Sequence, residues 1–198
     1  MSGIDLRDEV LAVDREPTAL DTLAIDVSSV LSEAGIDHAL VAGYVAILAG
    51  RARSTEDIDL ILEPLDRRQA EELSAALDSA GFWGSTTPLS RLSETLAAGG
   101  NVRVAPDGEV VPNVELNYAT DEFDRASIEN AITASIAAHE LPIGPLELQI
   151  AYKLYLGTQK DFEDAVHLFT MFEESLSKPR LEEWVRKLDV EDEYDRLG

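Results

Sequence analysis

The chain has no cysteine. That absence removes disulfides, thiolate metal sites and cysteine nucleophiles together, and it is compatible with a reducing compartment. Basic residues are scarce as well. Lys153, Lys160, Lys178 and Lys187 are the lysines of a 198-residue chain in which 16 basic residues stand against 39 acidic ones. The net charge of -23 argues against a large nucleic-acid surface, because phosphate-backbone binding depends on a basic patch; any RNA contact has to be local. The acids are spread along the whole chain, so the expectation is an acidic surface that self-repels in dilute buffer, as in a protein from a high-salt cytoplasm. No apolar run approaches the roughly 18 residues of a membrane span. The opening MSGIDLRDEV is acidic and polar where a signal peptide is basic and then apolar, which predicts a cytoplasmic protein with no membrane partner. Low-complexity blocks and internal repeats are also missing, and nothing interleaves aromatics with bases in the manner of a single-strand binder. His38, His139 and His167 match no metal spacing and read as structural, and Trp83 and Trp184 as core or contact residues.

What is present is enough apolar sequence, 45% of the chain, for a full core in one compact unit. Leu20, Leu23, Val27, Val30, Leu31 and Ala34 recur at helical spacing over residues 18–35, with Thr18 as an N-cap and Gly35 as a stop. Residues 37–42 read as a buried strand, 44–49 as a short helix, 51–56 as a polar loop, and 57–62 as a second strand. Asp66 caps a helix over 67–80 that ends at Gly81, and a weaker helix over 89–98 ends at Gly99-Gly100. Residues 101–105 and 109–111 flank Pro106-Asp107-Gly108, a turn combination that predicts a hairpin, and 114–118 form a further strand. Beyond residue 120 the pattern reads as helices over 126–138, 146–156, 162–172 and 181–188. The expectation is an α+β fold: a mixed sheet flanked by helices over residues 1–120, with residues 121–198 as a helical part packed on it.

The chemistry concentrates in residues 41–62, VAGYVAILAGRARSTEDIDLIL. Asp57 and Asp59 are two apart in a strand, so their carboxylates share one face while Ile58, Leu60 and Leu62 share the other. Paired carboxylates on a rigid strand suit magnesium, which is bound through one or two protein carboxylates plus substrate phosphates. Gly43 stands where the preceding strand turns into a helix, a place where free N–H groups and the helix dipole face a phosphate. The bland alternative is a solvent-facing row of acids.

This stretch resembles the signature of the nucleotidyltransferase-fold superfamily: a hydrophobic residue, two small residues at a strand–helix turn, a spacer, Asp-x-Asp, and a third carboxylate on a later strand. Here these are Val41, Ala42-Gly43, Asp57-Ile58-Asp59 and the Glu115 of Val114-Glu115-Leu116. The wording AGYVAILAGRARSTEDIDL is similar to AbiEii-like transferases, and ELPIGPLELQIAYKLYLGTQKDFEDAVHLF resembles their C-terminal segment, a lysine-bearing helix followed by a basic-Asp-x-x-Asp helix. Two positions depart from the pattern. Ala42 replaces the first glycine, and Glu115 replaces the more usual aspartate.

The resemblance implies a metal-dependent nucleotidyltransferase that uses an NTP with Mg²⁺ or Mn²⁺. The acceptor would be a hydroxyl on a tRNA 3′ end or a protein side chain, in the setting of a toxin–antitoxin pair. It implies metal binding by Asp57, Asp59 and Glu115, with Glu115 as ligand or base, and nucleotide contacts from Ala42, Gly43, Tyr44, Arg51, Arg53, Ser54 and Thr55. Lys153 lies on the inward stripe of its helix with Leu146 and Ile150, and an inward charge needs a partner: either a nucleotide phosphate or Asp164. Asp161 and Asp164 either orient Lys153, with Asp164 a candidate base, or cap and solubilise their helix. The rival to an enzyme is a transferase-like module without turnover, an antitoxin or nucleotide sensor; Ala42 and Glu115 are the residues that favour it.

Overall fold

The longest helices start where short polar side chains hold the first free N–H groups. In the computed structural model, which describes residues 3–197, Thr18 and Asp21 form a reciprocal capping box that opens helix α1 (Ala19–Glu33). Asp66 and Gln69 do the same for α3 (Arg67–Ser79), Asp121 caps α5 (Glu122–Glu129), and Thr158 caps α7 (Gln159–Phe172). The other helices are α2 (Ala42–Leu48), α4 (Leu92–Ala97), α6 (Leu146–Leu156), α8 (Lys178–Leu188) and α9 (Glu191–Tyr194). Gly157 ends α6 in the left-handed conformation, with φ 66°.

The strands are β1 (Ile4–Arg7), β2 (Val10–Val13), β3 (His38–Val41), β4 (Asp57–Leu62), β5 (Phe82–Gly84), β6 (Val102–Pro106), β7 (Asn113–Tyr118), β8 (Ile132–Ile136) and β9 (His139–Ile143). They join in one mixed sheet in the order β1-β2-β8-β9-β3-β4-β7-β6-β5. The fold is therefore a large mixed sheet flanked by helices, as the element pattern predicts. The centre of the sheet positions the chemistry. β4 pairs antiparallel with β3 and parallel with β7, which sets Asp59 opposite Val41 on one side and Glu115 on the other. Ile58, Leu60 and Leu62 are fully buried, whereas Asp57, Asp59 and Ile61 between them are half-buried. One apolar cluster runs from Leu6 on β1 to Val190 beyond α8.

Three local expectations are corrected. The helix expected over 126–138 is the end of α5 followed by a hairpin, β8–β9, which enters the sheet between β2 and β3. Its Ala-rich sequence favours helix locally, but Ile132, Ala134 and Ile136 are buried in strict alternation and pair with a neighbour on each side. The helical part proper begins at Leu146, where α6 packs on α7 and α8. The second arm of the predicted hairpin after Gly108 is not at 109–111; β6 pairs instead with β7, after an irregular stretch ending at Pro112. The N-terminal hairpin β1–β2 and the three-residue β5 carry no expectation at all.

The surface charge has a direct consequence. With a net charge of -23, the folded chain repels itself over a Debye length of about 10 Å at 0.1 M salt and only about 3 Å at 1 M. The melting temperature is expected to rise between low and molar KCl; a flat or falling curve would count against an acidic surface tuned to salt.

Candidate active site

The site forms at one end of the sheet's central strands. In the parallel register of β4 and β7, Asp57 lies level with Asn113 and Asp59 with Glu115, so the carboxylates of Asp59 and Glu115 share a face. Burial, together with the neighbouring charges of Glu115 and Asp57, pushes the Asp59 carboxyl above its ordinary pKa, while Lys153 and Arg53 pull it back. Carboxylates crowded in this way gain from a cation.

The three acids are not held alike. Asn113 donates its side-chain amide to Asp57 Oδ1 at 2.8 Å. Glu115 receives Arg103 Nε at 3.0 Å on one oxygen and Asn101 Nδ2 at 2.9 Å on the other. Arg103 comes from β6, where the register sets it opposite Glu115. Among the described residues no set of three or more carboxylate or histidine side chains is gathered closely enough to hold a metal ion. Asp57 and Asp59 nevertheless fit a divalent cation that completes its shell with phosphate oxygens, since such a cation takes only one or two protein carboxylates. Glu115 stands beside that pair with Arg103 and Asn101 each on one of its oxygens.

A second cluster adjoins the first. Asp164 on α7 is fully buried and accepts from Lys153 Nζ at 3.0 Å, from Arg53 Nη1, and from Arg51 Nε at 3.3 Å. Lys153, itself 3% exposed, also lies 3.8 Å from Asp161. Of the two partners that the inward lysine required, the structure supplies Asp164. Asp161 both faces Lys153 and takes part in the N-cap through Thr158. Arg51 also reaches Glu163 at 2.6 Å. The charges of Lys153 and Arg53 nevertheless favour the ionised form of Asp59. Arg53 Nε is buried and has no hydrogen-bond partner among the described residues, so it is a donor without an acceptor next to the acidic pair.

The strand–helix turn differs from its expected use. The Ala42 N–H is not free; it donates to Gln149 Oε1 on α6 at 2.8 Å. Gly43 makes room for protein rather than leaving a cradle: a Cβ there would lie 2.7 Å from Arg53 Nη2. Tyr44 is fully buried and donates its hydroxyl to Asp21 Oδ1 at 2.9 Å, so its side chain faces the core and not a ligand. Thr55 Oγ1 donates to the Asp57 carbonyl at 3.0 Å, which shapes the entry to β4, and Ser54 is exposed beside it.

Ala42 has φ 57°, a left-handed conformation that costs a residue with a Cβ about 1–2 kcal/mol. Glycine would relieve that strain and give back part of it as unfolded-chain entropy. Ala42→Gly is therefore expected to stabilise the fold by on the order of 0.5–1 kcal/mol in urea denaturation, where an alanine in ordinary helical geometry would instead lose stability on the same change.

Beside Asp59 and Glu115 opens a cleft of about 490 Å³ whose other polar walls are Asn117, Tyr118, Thr120 and Asp124. Among the described residues no basic side chain lines it. A smaller recess of about 70 Å³ adjoins it, with Phe123, Tyr152 and Lys153 in its wall. Arg103, Asn101, Asn113 and Gln149 are the site residues that sequence reasoning missed. Each reaches the site from a strand or helix distant in sequence, and no motif spacing marks them.

No protein-family model matches this chain, and no curated protein matches it. Solved structures do. An antigenic nucleotidyltransferase-like protein from Paracoccidioides brasiliensis superposes with a TM-score of 0.53 at 18% identity, over 89% of each chain. ANT(2″)-Ia, solved in complex with adenylyl-2″-tobramycin, gives 0.52 at 17% identity, over 87% of this chain and 98% of its own. JHP933 from Helicobacter pylori gives 0.50 at 18% identity, over 89% of this chain and 75% of its own. At such identities the likeness is one of fold, and the fold is nucleotidyltransferase-like.

Proposed function

We propose that the protein is a metal-dependent nucleotidyltransferase that moves an NMP from an NTP to a hydroxyl acceptor. One observation carries the reading: Asp57, Asp59 and Glu115 lie on paired strands, Asp59 and Glu115 at the wall of a cleft, with the charges of Lys153 and Arg53 acting on Asp59. In this reading Asp57 and Asp59 hold a magnesium or manganese ion, which supplies charge neutralisation for the triphosphate. Arg53 and Lys153 lie alongside the phosphates, and the unpartnered Arg53 Nε gains an acceptor there. The acceptor oxygen attacks the α-phosphorus, the bond from that phosphorus to the bridging oxygen breaks, and pyrophosphate leaves. The hydroxyl proton passes to a base, for which Glu115 is placed once Arg103 releases it.

The acceptor enters through the cleft. Its walls carry Asp59, Glu115 and Asp124 without a basic residue, which favours a protein side chain or an amine-bearing small molecule over a tRNA 3′ end. The ANT(2″)-Ia complex holds an acceptor of the small-molecule kind, adenylylated tobramycin. Placement beside AbiEii-like proteins, and with it a toxin or antitoxin partner, rests on the sequence resemblance. The acidic surface supports a cytoplasm rich in salt.

The rival reading, a nucleotide-binding module without turnover, draws on the engagement of Glu115 by Arg103. One assay separates them. Purified protein incubated with Mg²⁺ and each of four NTPs should release pyrophosphate in the presence of an acceptor and cease on chelation with EDTA. Nucleotide binding by calorimetry with no pyrophosphate from any NTP, and no label on protein, amine or tRNA acceptors, would establish the sensor.

A further inference from the structure

We infer that Asn113 is a positioning residue for Asp57, fixing one carboxylate oxygen so that the other is presented to the cation; the inference rests on the metal-dependent transferase reading. Asn113 opens β7, is 1% exposed, and lies opposite Asp57 in the register. Its Nδ2 donates to Asp57 Oδ1 at 2.8 Å and to the Val110 carbonyl at 3.4 Å. The amide orientation follows from chemistry, because the flipped amide would set its oxygen against a carboxylate and against a carbonyl.

The arrangement carries a cost that its surroundings do not offset. Asn113 Oδ1 is buried and has no hydrogen-bond partner among the described residues. A buried acceptor left unpaired is destabilising, and an apolar side chain of similar volume would fill the position without it. Asn113 lies on the face of β7 that carries Glu115 and Asn117, opposite the core face of Val114 and Leu116, yet it is itself buried. What the asparagine supplies is, among the described residues, the one donor on the Asp57 carboxylate. No side-chain donor reaches Asp59 among the described residues, so of the pair one acid is oriented in advance and the other is left to adjust. Outer partners of this kind govern how well a carboxylate meets a metal.

The test compares the full-length wild type with Asn113→Val and Asn113→Ala, which remove the donor, and Asn113→Thr, which keeps a shorter one. Mn²⁺ alone is titrated and free Mn²⁺ is read by electron paramagnetic resonance; melting temperatures are read in EDTA. Losing the donor is expected to weaken Mn²⁺ binding about 10–100-fold, with the threonine variant in between. Asn113→Val should melt no lower than wild type. Mn²⁺ affinity within about threefold of wild type in the valine or alanine variant overturns the inference, given the usual effect of such partners. A lowered melting temperature with intact Mn²⁺ affinity overturns it too, since that is the signature of a purely structural asparagine. If the valine variant fails to fold, the alanine variant decides by the same affinity criterion. Wild type that binds no Mn²⁺, either alone or with a non-hydrolysable NTP analogue supplying the phosphate ligands, removes the transferase reading itself, an outcome distinct from the others.

Discussion

Asp59→Asn is expected to lose nucleotide transfer by on the order of 10³-fold or more, since a cation's stabilisation of developing charge is worth several kcal/mol and each 1.36 kcal/mol is tenfold in rate. Folding stability should not fall with it. Asp59 is held half-buried beside Glu115 and Asp57, and this crowding disfavours its charge. The amide keeps the shape and removes the repulsion. A site strained for function becomes more stable when the function is deleted, so the variant should melt at or above the wild-type temperature while labelling drops. Transfer rate and melting temperature measured on the same preparation check this. Transfer near the wild-type rate would remove Asp59 from the chemistry, and unfolding of the variant would make the residue structural.

Asp164→Ala is expected to cost about 3–5 kcal/mol of folding stability, the usual consequence of leaving buried charges without their partner. Asp164 has no solvent exposure, and it compensates Lys153, whose side chain is 3% exposed, and Arg53, whose side chain is 12% exposed. Lys153 sits where α6 packs on α7 and cannot turn to water without parting them. Glu163→Ala makes the contrast. Glu163 pairs with Arg51 at 2.6 Å, but its side chain is 49% exposed, and a solvated pair of that kind contributes about 0–1 kcal/mol. Urea denaturation of both variants gives the comparison; equal and small losses would show that the cluster is solvated in solution. The same cluster also ties the fold to the site, because Arg53 packs on Gly43 at one end and reaches Asp164 at the other.

Much of this was legible in the sequence, for reasons that can be stated residue by residue. The two-residue spacing of Asp57 and Asp59 against fully buried Ile58, Leu60 and Leu62 is a local property of a strand, and it survives folding unchanged. Thr18, Asp66 and Gly35 mark helix ends by chemistry confined to a few residues. The inward position of Lys153 also followed from periodicity, although the choice between a phosphate and Asp164 required the packing of α6 on α7.

The rest depended on pairing across distance. β8 lies between β2 and β9, so Ile132–Ile136 becomes a strand because neighbours on both sides supply its hydrogen bonds, overriding the helical tendency of its alanines. The β1–β2 hairpin turns through Asp8 and Glu9 at φ 49° and 63°, left-handed positions where Asn-Gly would have been readable and Asp-Glu is not. Arg103 meets Glu115, and Asn113 meets Asp57, only through strand register. Gly43 has the sequence context of a phosphate cradle, but the guanidinium of Arg53, ten residues onward, fills the space through a contact that no local spacing marks.

The central claim is that the α-phosphorus is the atom that moves. It is tested most directly by giving one preparation the same NTP labelled at the α- or the γ-phosphorus in separate reactions with Mg²⁺ and a panel of protein, amine and tRNA acceptors. The account predicts α-label bound covalently to an acceptor and γ-label recovered as pyrophosphate, both lost in Asp59→Asn. Label from the γ-position on the acceptor, or γ-label released as orthophosphate with no α-label transferred, would contradict it.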